Sequence, residues 1–230
     1  MHKLSLRTLP RPDSIETAQE SSLVCAIKDD GGPVAPRLAT RLKMKGWQIV
    51  LLRTASTPSK SDMPTVFVAD GTESAWAEAL ESVHRTFGPI TTFIELNSHA
   101  PSAITDPLLD SEADQRLRES FFTAKKLRAF LAVPFSRYYA VAQIDGRLGF
   151  SGSADATGSL AGGILGLAKT LRHEWTSTYC RAVDMSPALD SDTAAERLIE
   201  ELFDPDYNLF EVGVDPHGRY TLVVQEADHA

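Results

Sequence analysis

The phenols Tyr138 and Tyr139, with Lys125 and Lys169 elsewhere in the chain, are the side chains whose types could protonate a carbonyl oxygen. A phenol does this work when an ammonium beside it lowers its pKa. Neighbouring strand residues face opposite sides, so one of the two tyrosines is expected in the core. Asp29-Asp30 is a second candidate. Two carboxylates can hold Mg²⁺ together with phosphates, but a solvated turn whose Asp caps the next helix is the reading we prefer. His99, in Asn97-Ser98-His99-Ala100, could act as acid or base, although a lone loop histidine is more often solvated. His173-Glu174 lacks the second histidine of a zinc-protease helix, and neither a Gly-x-Ser-x-Gly elbow nor a Walker loop is present. No metal-ligating set is expected.

The elements that would position these residues alternate between strand length and helical period, the pattern of an α/β fold with a mostly parallel, doubly wound sheet. Leu23 to Lys28 reads as a strand, Val34 to Lys45 as a helix closed by Gly46, and Gln48 to Leu52 as a strand. The Ser-, Thr- and Pro-rich stretch from Thr54 to Pro64 is a loop. Further strands are expected at Thr65 to Ala69, Thr91 to Leu96, Arg137 to Ile144 and Cys180 to Met185. Helices are expected at Thr72 to Thr86, Glu112 to Val133, Ala156 to Trp175 and Asp192 to Phe203. After the last helix a strand pair, Leu209 to Val214 and Arg219 to Val224, turning at Pro216-His217-Gly218, completes the sheet. In the longest helix, Leu117, Phe121, Ala124, Leu127 and Leu131 form an apolar stripe. One domain over residues 22–225 is expected, with an extended lead-in at 1–21 and a frayed tail at 226–230.

A chain of 230 residues, 43% hydrophobic, can bury one sizeable core without disulfides or metals. Its net charge of -8 and scattered basic residues argue against nucleic acid. Without an apolar run long enough for a membrane span or a signal peptide, a cytoplasmic protein is expected. Cys25 and Cys180 fall in buried strands held apart by the sheet, so free thiols are expected.

The stretch Ala161 to Trp175, with Gly166-Leu167-Ala168-Lys169-Thr170-Leu171-Arg172-His173-Glu174, resembles the helix that follows the Tyr-x-x-x-Lys pair of short-chain dehydrogenases and synthase ketoreductases. Leu9 to Asp13, Asp29 to Gly32, Gly46 to Leu51, Ile144 to Gly149 and Cys180 to Asp184 are similar to the ketoreductase region of polyketide and polyunsaturated fatty acid synthases. The resemblance spans about Leu9 to Val224 and is to the structural, N-terminal half of that region, a truncated Rossmann-like fold preceding the NADPH-binding catalytic half. On this alignment the catalytic Tyr and Lys positions are Thr157 and Ala161, and the catalytic Ser position falls at or near Ile144 or Asp145. The glycines of the nucleotide loop fall on Asp29, Pro33 and Ala35, leaving only Gly31-Gly32 within the loop Asp29, Asp30, Gly31, Gly32, Pro33, Ala35. A carboxylate there opposes a pyrophosphate, proline lacks an N–H donor, and a methyl narrows the approach. Asp70 falls where active relatives contact adenine, and is read here as another cap.

The resemblance therefore implies a non-catalytic subdomain in fatty acid or polyketide biosynthesis that binds no cofactor itself. NADPH is expected on the catalytic ketoreductase half, which with other synthase domains is the expected partner. Two alternatives stay open. One is a divergent NADPH-dependent reductase using Tyr138 or Tyr139 with Lys169 or Lys125. The other is a docking module for acyl carrier protein through Lys125, Lys126 and Arg128, a triplet that also fits a solvated helix face.

Overall fold

The computed structural model describes residues 2–13, 24–54, 62–97, 111–131, 134–152 and 156–226, with the side chains of 111–113, 156–160 and 226 excepted. Its strands are β1 (His2–Leu9), β2 (Val24–Lys28), β3 (Gln48–Thr54), β4 (Thr65–Val68), β5 (Ile90–Asn97), β6 (Ser136–Ala142), β7 (Thr178–Met185), β8 (Glu211–Asp215) and β9 (Gly218–Glu226). Its helices are α1 (Val34–Met44), α2 (Glu73–Phe87), α3 (Ser111–Leu127), α4 (Ala156–Glu174) and α5 (Ser191–Leu202).

All nine strands join one sheet in the order β1-β9-β8-β7-β6-β5-β2-β3-β4. The seven strands from β2 to β8 pair in parallel, and β9 returns antiparallel through the turn at Pro216 to Gly218. Strand order reverses between β2 and β5, the position where open α/β sheets leave a crevice at their carboxyl edge. The expected doubly wound fold is thus present. Apolar residues of β2, such as Val24 and Ala26, pack with α2, α3 and α4, while Cys25 and Ile27 pack with α1 and α5 on the other face. Period-2 alternation thereby feeds two cores, which is why the strand reads as continuously hydrophobic. Both cysteines are buried and free, and burial pushes the Cys180 thiol up to about 12.

Several expectations are corrected. Residues 2–9 of the lead-in are not a mere extended approach; they form β1, antiparallel to β9 from His2↔Glu226 to Leu9↔Arg219. Gln225 and Glu226, expected in the tail, belong to that ladder, and 227–230 lie outside the described residues. Helix α3 ends at Leu127, where a turn begins. Phe121 is exposed, and its neighbour Phe122 packs on the core instead. The glycines of α4 allow close packing at one point in particular: a Cβ on Gly163 would stand 3.2 Å from the Leu117 side chain.

A buried ion network ties α5 to the last strands. Arg181 on β7 and Arg219 on β9 both bind the carboxylates of Glu201 and Asp204, with Arg181 Nη1 to Glu201 Oε2 at 2.7 Å and Arg219 Nε to Glu201 Oε1 at 2.6 Å. Arg181 is completely buried, a position open to a guanidinium only when its charge is matched and its donors are satisfied. Arg219 also donates to the Pro10 carbonyl, which links this network to the segment following β1.

Candidate functional site

The carboxyl ends of β2 and β5 deliver Lys28 and Glu95 side by side at the strand-order reversal. Glu95 is the centre of a polar cluster on the buried strand β5. Its Oε1 accepts from Lys28 Nζ at 2.7 Å and from Ser120 Oγ at 2.5 Å, and its Oε2 accepts from the Tyr138 hydroxyl at 2.7 Å. Burial alone would raise the Glu95 pKa, but the Lys28 charge and the three donors outweigh it and hold the group ionised below its ordinary range. Burial and the neighbouring Glu95 charge push the Tyr138 phenol well up, so it remains a donor. The Lys28 ammonium also lies 5.0 Å from the Trp76 ring centroid. Above this floor opens a cavity of about 280 Å³, walled by Asp29, Asn97, Arg116 and Glu119 among others.

The loop after β2 was expected to be solvated, with an Asp capping α1. Asp29 is instead buried and paired with Arg53, Nε to Oδ2 at 2.6 Å. The N-cap position of α1 is Pro33, with no side-chain cap bond. Gly31 N–H donates to Asp29 Oδ1 at 2.8 Å, and Gly32 N–H donates to Asp30 Oδ1 at 2.9 Å. A pyrophosphate is held by free N–H groups at a helix N-terminus. Here the two glycine donors already serve carboxylates, Pro33 has none to offer, and Ala35 is fully buried in the core. The loop thus lacks free donors at Gly31, Gly32 and Pro33, the positions nearest the start of α1.

The other sequence-derived positions divide between core and surface. Ala161 is buried in α4 against the sheet, and Thr157 lies on the same helix with its side chain outside the described ones. Tyr138 and Tyr139 are both buried, on opposite faces, so two phenols rather than one belong to the core. Lys169 pairs with Glu211 and Lys125 with Glu73, so neither ammonium joins a tyrosine. Lys126 shares Glu73, leaving Arg128 as the exposed third member of that triplet. Asp70 is not the cap of α2; Thr72 is, and Asp70 braces it by accepting from its N–H and hydroxyl. Asn97 ends β5, while Ser98, His99 and Ala100 lie outside the described residues. His173 and Glu174 are exposed at the end of α4. Among the described residues no group of three metal-ligating side chains occurs, and no helix is long and apolar enough to cross a membrane.

At Ile144 and Asp145 the chain forms a tied-down loop rather than a substrate-facing hydroxyl. Asp184, at the end of β7, accepts from the Ile144 N–H at 2.8 Å and the Leu148 N–H at 2.8 Å. Asp145 accepts from the N–H groups of Arg147, Gly149 and Ser151. Gly146, at φ +74°, lets this loop lie against β8, since a Cβ there would stand 2.4 Å from the Val214 carbonyl oxygen. Burial, with the nearby Asp145 carboxylate, raises the Asp184 pKa to about 6. Burial opposes ionisation of Asp145 as well, but hydrogen bonds from Ser151, Gly149 and Arg147 prevail and bring it to about 2.

A raised folded-state pKa means that the folded chain holds an extra proton between the free Asp value of 3.8 and about 6, so stability falls as pH rises through that window. Asp184→Asn, which mimics the protonated form, is expected to remove that fall, on the order of 2–3 kcal/mol. Urea unfolding at stepped pH measures it. Parallel pH profiles for variant and parent would count against this role for Asp184.

No family model matches the chain, and no curated protein matches it. Solved structures do. The chain aligns with a short-chain dehydrogenase/reductase double mutant from Serratia marcescens at TM-score 0.65 and 12% identity, over 85% of this chain and 96% of that one. The fold is short-chain dehydrogenase/reductase-like. Such reductase-like architecture extends to the ligand-free aldohexose dehydrogenase of Thermoplasma acidophilum, at TM-score 0.58 and 11% identity over 72% of this chain and 66% of that one. A multidomain structure containing the adenylation, ketoreductase and pseudo-Asub parts of a keto acid-selecting NRPS module aligns at TM-score 0.77 and 14% identity. That alignment takes in 99% of this chain but only 18% of the multidomain one.

The Lys28, Glu95, Ser120 and Tyr138 cluster is the part of this edge that sequence reasoning missed. Its signal was a glutamate inside the apolar run Thr91 to Leu96, because a charge in a buried parallel strand needs a partner.

Proposed function

We propose that this chain is a non-catalytic structural subdomain that supports the β-ketoreductase step of a polyketide or polyunsaturated fatty acid synthase. On this reading it binds no dinucleotide. NADPH and the reduction belong to a catalytic ketoreductase half, which packs with this chain in the cytoplasm. The observation that carries the proposal is the closed loop after β2, where Asp29 and Asp30 occupy the N–H groups that a pyrophosphate would need. The short-chain-reductase-like fold, and the alignment of nearly all of this chain with part of a ketoreductase-containing NRPS module, support it. The divergent-reductase alternative is disfavoured by the burial of both phenols and by the pairing of Lys169 with Glu211.

The isolated chain is therefore expected neither to bind NADPH nor to consume it with a β-keto thioester. Added to a catalytic ketoreductase polypeptide of the same synthase, it is expected to co-elute with it on size exclusion and to raise its turnover. Absorbance at the nicotinamide band follows the reaction. Turnover by the isolated chain, or a partner indifferent to its presence, would defeat the proposal.

A further inference from the structure

At the amino edge of the sheet, opposite the cavity, the starts of β6 and β7 and the end of α4 frame an open groove of about 650 Å³. Phe135, Arg137, Arg172 and Tyr207 are among its walls, and among the described residues no aspartate or glutamate lines it. Phe135 is 89% exposed and holds φ at +63°, a left-handed conformation that is costly for a bulky side chain. Tyr207, on the same groove, is 51% exposed and meets Tyr179 edge to face at 5.1 Å.

The two arginines are held in place by neutral groups. Arg137 donates to the Leu202 carbonyl at 3.0 Å and to the Tyr207 hydroxyl at 3.4 Å. Arg172 donates to the Tyr207 carbonyl at 3.2 Å, and its guanidinium lies 4.8 Å from the Phe210 ring centroid. Among the described residues neither guanidinium meets a carboxylate, and each keeps part of its five-donor fork for another acceptor. On a chain of net charge -8 this groove is a local concentration of positive charge. At the helix patch, by contrast, Glu73 pairs with both Lys125 and Lys126.

Charge complementarity selects a carboxylate-bearing partner, since a planar fork matches a carboxylate bidentately. The aromatic walls select an apolar side chain between the acidic ones, and Arg with Tyr and other aromatics is the composition of interface hot spots. We propose that this groove docks an acidic polypeptide segment, with carboxylates on Arg137 and Arg172 and an apolar side chain between Phe135 and Tyr207.

Fluorescence anisotropy with a labelled peptide of alternating glutamate and leucine tests the proposal. The parent chain is expected to bind it, less tightly as salt rises. Arg172→Gln and Arg137→Gln are each expected to weaken binding roughly tenfold, the scale of one lost charge-assisted hydrogen bond. Phe135→Gly is expected to weaken binding while raising Tm by about 2–4 °C, because glycine adopts this φ without strain. A Lys126→Gln variant should bind as the parent does. The proposal fails if the peptide does not bind, if a lysine-leucine peptide binds equally well, or if the arginine variants retain full affinity. Capture by phosphatidylserine vesicles without binding of the peptide also overturns it.

Discussion

Glu201→Ala is expected to destabilise the chain by about 3–5 kcal/mol, the cost of stranding buried charge. Glu201 meets Arg181 at 2.7 Å and Arg219 at 2.6 and 2.8 Å, and all three side chains are buried. Without it two guanidinium groups would share Asp204 alone. For a domain of this size, each kcal/mol shifts Tm by about 2–4 °C, so a drop of roughly 6–20 °C should appear in a thermal melt. Glu201→Gln keeps the shape and some acceptor capacity and should lose less. A melt of Glu201→Ala within a degree or two of the parent would show that the network does not hold α5 to β7 and β9.

Glu95→Ala is the second large effect, again about 3–5 kcal/mol. It strips Lys28, Ser120 and Tyr138 of their common acceptor in a site where only the Lys28 side chain is appreciably wetted. Replacing both charges by apolar groups of similar size, Lys28→Met with Glu95→Leu, is expected to recover part of the loss, because the desolvation cost of the charges disappears with the pair while the buried Tyr138 hydroxyl still lacks an acceptor. Denaturant melts of the two single variants and the double variant form the cycle that separates these contributions. If the double variant is as unstable as the sum of the singles, Glu95 is not acting through Lys28.

Much of the fold was legible because local signals and burial agree. The helix Val34–Met44 is closed by Gly46 at φ +87°, and the buried strands are continuous apolar runs. β1 was not legible, because its partner β9 lies at the other end of the chain and its Leu4, Leu6 alternation is interleaved with Lys3, Ser5 and Arg7. The altered nucleotide loop was visible as residue types, yet its electrostatics were misread. Arg53, one strand away, turns Asp29 from a solvated cap into half of a buried ion pair. The two buried tyrosines were similarly ambiguous until Glu95 and the Glu201 carbonyl supplied acceptors for them on opposite faces.

We propose that the loop after β2, with the Gly31 and Gly32 N–H groups engaged by Asp29 and Asp30, is closed to a dinucleotide. Titration of the isolated chain with NADPH, followed by nicotinamide fluorescence and by the shift in Tm, tests it most directly. No saturable fluorescence change and no Tm increase are expected up to millimolar NADPH, whereas a bound ligand at a hundredfold excess over its Kd would stabilise the fold by about 2.7 kcal/mol. Saturable binding at micromolar NADPH with a matching rise in Tm would contradict the proposal.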